Sequence, residues 1–277
     1  MISKNREKGH QIKGIKIGYT EKKITSYGGF SMVAMFFEKI EFKSALKKIM
    51  PIQEVSPNAM KAEEKLLGFI TLLLTGASRF SHLLYVGNPE IIKSFFGLKR
   101  LPLAGTTLTR YFNKIKTWAQ AEQISEGIWN YLKPIIDWAA IGADWLSFDS
   151  TVVTRYGNQE GAKKGYNPAK KGRASHHPLV AFLNGSRIVL NIWNRSGDTS
   201  SGNNIISFFE CVYQRIWGLI QIKGVLADAG FYSEAFIESI EEKKLDYIIT
   251  AKLYPTLQRK IYAHDNWSQI APGLWIS

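Results

Sequence analysis

Residues 177–193 read HPLVAFLNGSRIVLNIW. Two runs rich in β-branched and aromatic residues flank Asn184-Gly185, the dipeptide preferred in a two-residue type I′ turn. The pattern predicts an antiparallel hairpin. Upstream, WLSFDSTVVTRY (145–156) has the composition and rough alternation of another strand. Downstream, the sequence predicts a helix over about 201–218, opened by Ser, Gly and Asn. KGVLADAGF (223–231) then reads as a short buried strand ending in a turn. SEAFIESIEEKKL (233–245) reads as a helix with Ser233 as N-cap, and DYIITAKL (246–253) as a last strand. The order is strand, strand, strand, helix, strand, helix, strand. Three strands form a meander, and helical crossovers make parallel neighbours of the last two. The expectation is an α/β region with a mixed five-stranded sheet and helices over residues 141–277.

Before residue 142 the period is different. Residues 1–30 read as an irregular, partly extended basic arm. From about 31 to 140 apolar residues recur at three- and four-residue spacing, in SMVAMFFEKI, EEKLLGFITLLL, PEIIKSFFG and TLTRYFNKIKTWA. Breakers separate them: SPN (56–58), GNP (87–89) and LPLAG (101–105). Residues 1–140 therefore read as a mostly α-helical N-terminal region. The segments 89–97 and 106–117 invite comparison with helix-turn-helix DNA readers. Thr106 or Thr107 would cap the second helix, and Thr109, Arg110, Asn113, Lys114 and Lys116 would line its polar side. The linker of about eight residues exceeds the usual 3–4-residue turn. The pattern equally suits two packed helices with a wet basic face.

The chain has 277 residues, 45% of them apolar and 21% charged, which suits a soluble globular protein and excludes intrinsic disorder. The greasiest stretch, LLGFITLLLTGA (66–77), is shorter than the ~20 residues of a membrane span and reads as a core helix. The N-terminus, MISKNREKGHQIKG, lacks the apolar segment of a secretory signal. Cys211 is the single cysteine, which excludes an internal disulfide or a Cys-based zinc site; its apolar helical context makes it a core residue. The net charge is +13. Residues 1–48 carry a net +7, and residues 155–177 a net +5. Such clusters favour polyanions and bind nucleic acid in a salt-dependent way. A basic enzyme with a solvated surface is the plain alternative.

Asp149 falls inside the first strand, in SFDST, and Asp228 ends the fourth, in VLADAG. A carboxylate between Phe148 and Val152 is costly to bury unless paired, hydrated or metal-bound. Asp228 stands at the carboxyl end of a strand, where open α/β sheets place ligands. If the fourth strand pairs with the first, the two carboxylates converge. A divalent cation relieves their repulsion, and hard oxygen ligands suit Mg²⁺ or Mn²⁺. Such sites activate a water or hydroxyl and stabilise the leaving oxygen at a phosphodiester. Taken singly, each Asp reads as a turn or cap residue; their joint position beside a basic loop points to metal chemistry. Asp144, an odd five residues before Asp149, falls on the opposite strand face and is a poor partner.

FDST (148–151), the long basic loop, GRASHHPLVAFLNG (172–185), the next helix and LADAGF (226–231) together resemble a bacterial insertion-sequence DDE transposase. The resemblance is strongest to the group-one DDE domain, the insertion-sequence family numbered thirteen-eighty. It covers about 20–277 and includes YGGF (27–30) and LPLAGTTLTRYF (101–112). It implies a ribonuclease-H-like core, with Mg²⁺-dependent cleavage and strand transfer at terminal inverted repeats. Asp149 and Asp228 match the first two acids of the triad and would hold the metal. Arg110 and its helix fall in the part that contributes DNA binding. DNA, as terminal repeat and as target, is the implied partner. A homodimer on DNA, no membrane, and a cytoplasmic, nucleoid-associated location go with it. One departure stands out. In this branch the third acid, a Glu, follows the fifth strand after a β-rich insertion, whereas here no Glu follows residue 242. The tail IYAHDNWSQIAPGLWIS (261–277) has strand character and could open that insertion. The expectation is a transposase shortened at its C-terminus, with an incomplete metal site and weak or no catalysis. Its rivals are a non-catalytic DNA-binding remnant and an unrelated metal-dependent nuclease of the same fold.

The expected DNA contacts are Thr109, Arg110 and Lys114 on the helix, and Arg155, Lys163, Lys164, Lys170, Lys171 and Arg173 in the loop. Tyr166 would stack on a base. His176 and His177 read as structural in preference to metal-binding, Trp193 as core, and Asp198 as a cap for the following helix.

Overall fold

The structure, a computed structural model, describes residues 10–12, 15–17, 26–85, 89–102, 104–138 and 142–276. The chain divides into two compact units, residues 1–131 and 132–277. In the first, His10–Ile12 and Ile15–Ile17 pair antiparallel within the basic arm; the rest of 1–25 lies outside the described residues, as do Gly87 and Asn88 of the second predicted breaker and Leu103 of the third.

The first unit is helical. It contains α1 (Phe30–Lys39), α2 (Phe42–Ile49), α3 (Ala62–Leu74), a 3-10 turn (Phe80–Tyr85), α4 (Pro89–Phe95) and α5 (Gly105–Phe112). α6 (Trp118–Trp138) begins in this unit and ends in the second. Leu67, Leu72, Ile92, Leu108 and Tyr111 are buried together, so the three- and four-residue apolar spacing does build one core. The greasy stretch is α3, and among the described residues no helix is long and apolar enough to cross a membrane. Neither Thr106 nor Thr107 caps α5, contrary to the sequence expectation. The helix starts at Gly105, after Ala104, without a side-chain cap. A Cβ on Gly105 would lie 2.8 Å from the Phe80 carbonyl carbon. Gly105 thus lets the start of the helix pack closely on the 3-10 turn.

In the second unit, five strands form one sheet: β1 (Asp144–Ser150), β2 (Leu179–Leu183), β3 (Val189–Trp193), β4 (Ile222–Ala227) and β5 (Asp246–Ile249). Their order is β5-β4-β1-β2-β3. β1 pairs antiparallel with β2 and β2 with β3, while β4 is parallel to both β1 and β5. The mixed sheet is as expected from the sequence. Its crossover helices are α7 (Ile205–Ile216) and α8 (Glu234–Glu241). Phe148 of β1 packs edge-on against Phe208 and Phe209 of α7 and Phe236 of α8 at 5.9–6.0 Å. Trp193 is half-buried against Phe208. Cys211 is partly buried, with Asn191 Nδ2 donating to its sulfur. Beyond β5, the helix α9 (Pro255–Tyr262) was not foreseen; the exposed antiparallel pair Ser268–Ala271 and Leu274–Ile276 bears out the strand character of the tail.

The hairpin exists, but its turn is not the two-residue type I′ turn expected at Asn184-Gly185. The strands end at Leu183 and resume at Val189, with an irregularity between Ala181 and Phe182. Arg187, at φ 61°, is the left-handed residue, and its amide donates to the Leu183 carbonyl. The reason is Asp144. Its carboxylate accepts hydrogen bonds from the amides of Gly185 (2.9 Å to Oδ1) and Ser186 (3.3 Å to Oδ2), as well as from Trp145. A Cβ on Gly185 would stand 3.1 Å from either carboxylate oxygen. Gly185 therefore permits a close approach to the acid in place of a left-handed turn. Burial opposes ionisation of Asp144, but the amides of Gly185, Trp145 and Ser186 and the charge of Lys223 outweigh it, so its pKa lies below the ordinary carboxylate value.

An acid that titrates lower when folded contributes its stability fully above the unfolded value and loses it as pH falls through the folded one. Chemical denaturation should therefore show stability declining below about pH 4. Asp144→Asn should lose on the order of 1–3 kcal/mol at neutral pH and flatten that decline. An unchanged profile would mean that the clamp on the turn is not formed.

Candidate active site

The register between β1 and β4 carries the site. Phe148 pairs with Ala227 across parallel neighbours. The next residues are Asp149 and Asp228, so two aspartates leave adjacent strand ends side by side, on strands about 4.8 Å apart. Both are exposed. Asp149 Oδ1 accepts from its neighbour's amide, Ser150 N, at 2.7 Å. Asp228 caps the 3-10 turn Ala229–Phe231, accepting from Gly230 N at 2.8 Å. Among the described residues neither forms an ion pair, and no third His, Cys, Asp or Glu joins them to make a ready metal cluster. Two unpaired hard-oxygen groups at neighbouring strand ends fit a divalent cation such as Mg²⁺ or Mn²⁺, with ligand positions left for water or a substrate oxygen. Glu234, Glu238 and Glu241 lie on the crossover helix α8.

Around the acids is a hydrogen-bonded frame. The Ser150 hydroxyl lies 3.2 Å from His177 Nε2 and 2.8 Å from Ser201 Oγ. His177 Nδ1 donates to the Thr199 carbonyl at 2.6 Å, which leaves Nε2 to accept from Ser150. His177 is 6% exposed and spends both ring nitrogens on this frame. His176, also buried, accepts from Arg155 Nε and faces the Glu160 carbonyl. Both histidines are thus structural. Arg195 is buried as well. It donates from Nε to the His177 carbonyl and from Nη1 to the carbonyls of Ser200 and Asn203. Its Nη2 is enclosed without a partner, and burial lowers its pKa below the ordinary arginine value. Ser150 escaped sequence reading because FDST was read for its acid, and Ser201 and Arg195 because RSGDTSSGNN (195–204) carried only a cap signal. Even that signal misled. α7 is capped in position by Asn204, not by Asp198, which instead takes Lys163 Nζ at 3.3 Å and the Ser196 hydroxyl.

The basic loop follows β1. Short strands at Val153–Thr154, Lys163–Lys164 and Ala174–His176 form a separate three-stranded sheet in it. Arg155 is committed to His176, Lys163 to Asp198, and Arg173 lies over the Tyr156 ring at 5.8 Å. Lys164, Lys170 and Lys171 are exposed, as is Tyr166 at 75%. In the first unit, Arg110 is exposed, and Thr109 Oγ1 donates to the Gly105 carbonyl. Lys114 pairs with Glu54, which also takes the buried Lys65. Those lysines, Lys65 first, hold the Glu54 pKa below its ordinary value.

Residues 8–269 match the family model described as transposase DDE domain group 1. Among curated proteins, none matches the sequence. Three solved structures are similar at low identity. The piggyBac transposase synaptic complex with hairpin DNA shares 12% identity at a TM-score of 0.46, over 84% of this chain and 54% of that one. The Drosophila P element transposase strand transfer complex shares 11% at 0.28, over 77% and 48%. The Mos1 mariner paired end complex with Mn shares 9% at 0.27, over 87% and 83%. The chain spans about half the length of the first two.

The basic loop is held down by a close crossing of three segments. A Cβ on Gly165 would lie 1.9 Å from the Gly197 carbonyl oxygen, and one on Gly197 would lie 2.3 Å from Ser175 Oγ. Neither site has room for a methyl group. Gly165→Ala and Gly197→Ala should each cost on the order of 1–3 kcal/mol in thermal unfolding. Wild-type midpoints in both would show that the crossing is open.

Proposed function

The chain belongs to the transposase DDE domain group 1 family, and from that premise we propose that it binds DNA and cuts phosphodiester bonds as the catalytic part of an insertion-sequence transposase. The observation that carries the reading is the register Phe148↔Ala227, which sets Asp149 and Asp228 side by side. We read the sheet, with β2 antiparallel to β1 in the order β5-β4-β1-β2-β3, as a ribonuclease-H-like core. A Mg²⁺ or Mn²⁺ ion bound by the two aspartates would polarise the scissile phosphate and activate the attacking water or 3′ hydroxyl. The remaining work belongs to the chain itself. Lys164, Lys170 and Lys171 hold the DNA backbone beside the acids, helped by Arg155, Lys163 and Arg173. Thr109, Arg110 and Lys114 of the helical region, residues 1–140, contribute a second contact. The specific substrates are terminal inverted repeats and target DNA, bound by a homodimer. The setting is the bacterial cytoplasm and nucleoid.

A second reading has its own support. Among the described residues no third carboxylate joins the pair. With two acids the chain would cleave weakly while still binding DNA, and would then occupy element ends without cutting them.

Metal-dependent nicking of a DNA carrying the element end separates the two. Asp149→Asn or Asp228→Asn should abolish nicking, by at least about a hundredfold, while DNA affinity stays within about twofold. Nicking that survives either change would sink the catalytic assignment, and binding with no cleavage in the unaltered chain would favour the second reading. Replacing Lys163, Lys164, Lys170 and Lys171 with Gln should lower the slope of log K against log salt by about 0.9 for each phosphate no longer neutralised. An unaltered slope would place the DNA elsewhere.

A further inference from the structure

The loop that joins β3 to α7 touches both acid-bearing strand ends through one side chain. Ser201 Oγ lies 2.8 Å from Ser150 Oγ, and Ser150 adjoins Asp149 and donates its amide to that carboxylate. On its other side Ser201 abuts Gly230. A Cβ built there would stand 2.9 Å from both Ser201 Cβ and Oγ, and 3.0 Å from Asp228 Oδ1. The Gly230 amide is the donor to Asp228. Ser201 is therefore wedged between the two residues whose amides orient the carboxylates. The loop is itself anchored from beneath. Arg195 grips the carbonyls on either side of Ser201, those of Ser200 and Asn203, and His177 grips the carbonyl of Thr199. A buried guanidinium without a carboxylate partner is costly. Here it donates to three backbone carbonyls, two of them in this loop beside Ser201.

Resting on the two-aspartate reading above, we propose that Ser201 is a positioning residue: a strut, held by Arg195 and His177, that sets the separation of the Asp149 and Asp228 carboxylates and so the affinity of the cation they share. It touches neither substrate nor metal. Outer groups that orient ligands in this way govern affinity strongly, because a carboxylate free to swivel must be ordered again at each binding event.

The test is titration of Mn²⁺ into the full 277-residue chain, followed by the electron paramagnetic resonance signal of free ion, with no DNA and no turnover. Asp149→Asn and Asp228→Asn should remove the binding. Ser201→Ala should weaken it roughly tenfold. Ser150→Ala removes the same hydroxyl pair from the other side, so Ser150→Ala/Ser201→Ala should be no weaker than the worse single variant. Thermal midpoints within a few degrees of wild type would confirm that all variants fold; Ser201 is only half-buried. If the Asp variants lose Mn²⁺ and Ser201→Ala binds like wild type, the strut is overturned and the metal reading stands. If the two serine effects simply add, they act separately, and the strut is again overturned. If Mn²⁺ binding does not depend on Asp149 and Asp228, the two-aspartate reading fails and the strut fails with it.

Discussion

Two like charges on neighbouring strand ends set the terms for the second unit. The parallel pairing of β1 with β4 places Asp149 and Asp228 next to each other, and at such spacing carboxylates repel unless water or a cation intervenes. The sheet bears this because the pairing rests on the other face. There Phe148, Leu146 and Val225 are buried, and three phenylalanines of α7 and α8 surround Phe148. Apolar burial under the sheet holds the register, and the register holds the acids together.

The same unit uses a third aspartate in the opposite sense. Asp144, at the start of β1, is enclosed by amides and serves the hairpin turn. Asp149, near its end, is exposed and meets one amide. Two residues of one type on one strand thus have different surroundings, because their donors differ. An acid saturated with backbone donors has little left to offer a cation, whereas one with free lone pairs at a strand end does.

Charge divides similarly. Of the loop cations, Arg155, Lys163 and Arg173 are tied to His176, Asp198 and Tyr156, which orders the loop. Lys164, Lys170 and Lys171 project outward. Cations engaged with the protein hold the segment in shape, and those facing water attract polyanions over a Debye length.

Much of this was legible in the sequence. The succession of strands and helices from β1 to β5, including the hairpin, followed from periodicity, because burial of one face imposes it on the residues themselves; α9 did not. Asp149 and Asp228 were legible as acids in places where acids are uncommon. What the sequence left open was every contact between residues far apart in the chain. The hairpin turn at Asn184-Gly185 took another form because Asp144, some forty residues earlier, draws its amides in. α5 begins at Gly105 and not at a threonine cap, and its start packs so close to Phe80 that only glycine fits. Asp198 lies six residues before Asn204, the cap position of α7, and engages Lys163 and Ser196 instead. The frame of Ser150, His177, Ser201 and Arg195 has no sequence signature, since its hydrogen bonds join the end of β1 to two segments far from it in the chain. Local propensity determined which segments became strands and helices; long-range packing and hydrogen bonding decided where each ended and which side chains came to surround the two acids, because those energies depend on neighbours that the linear order does not specify.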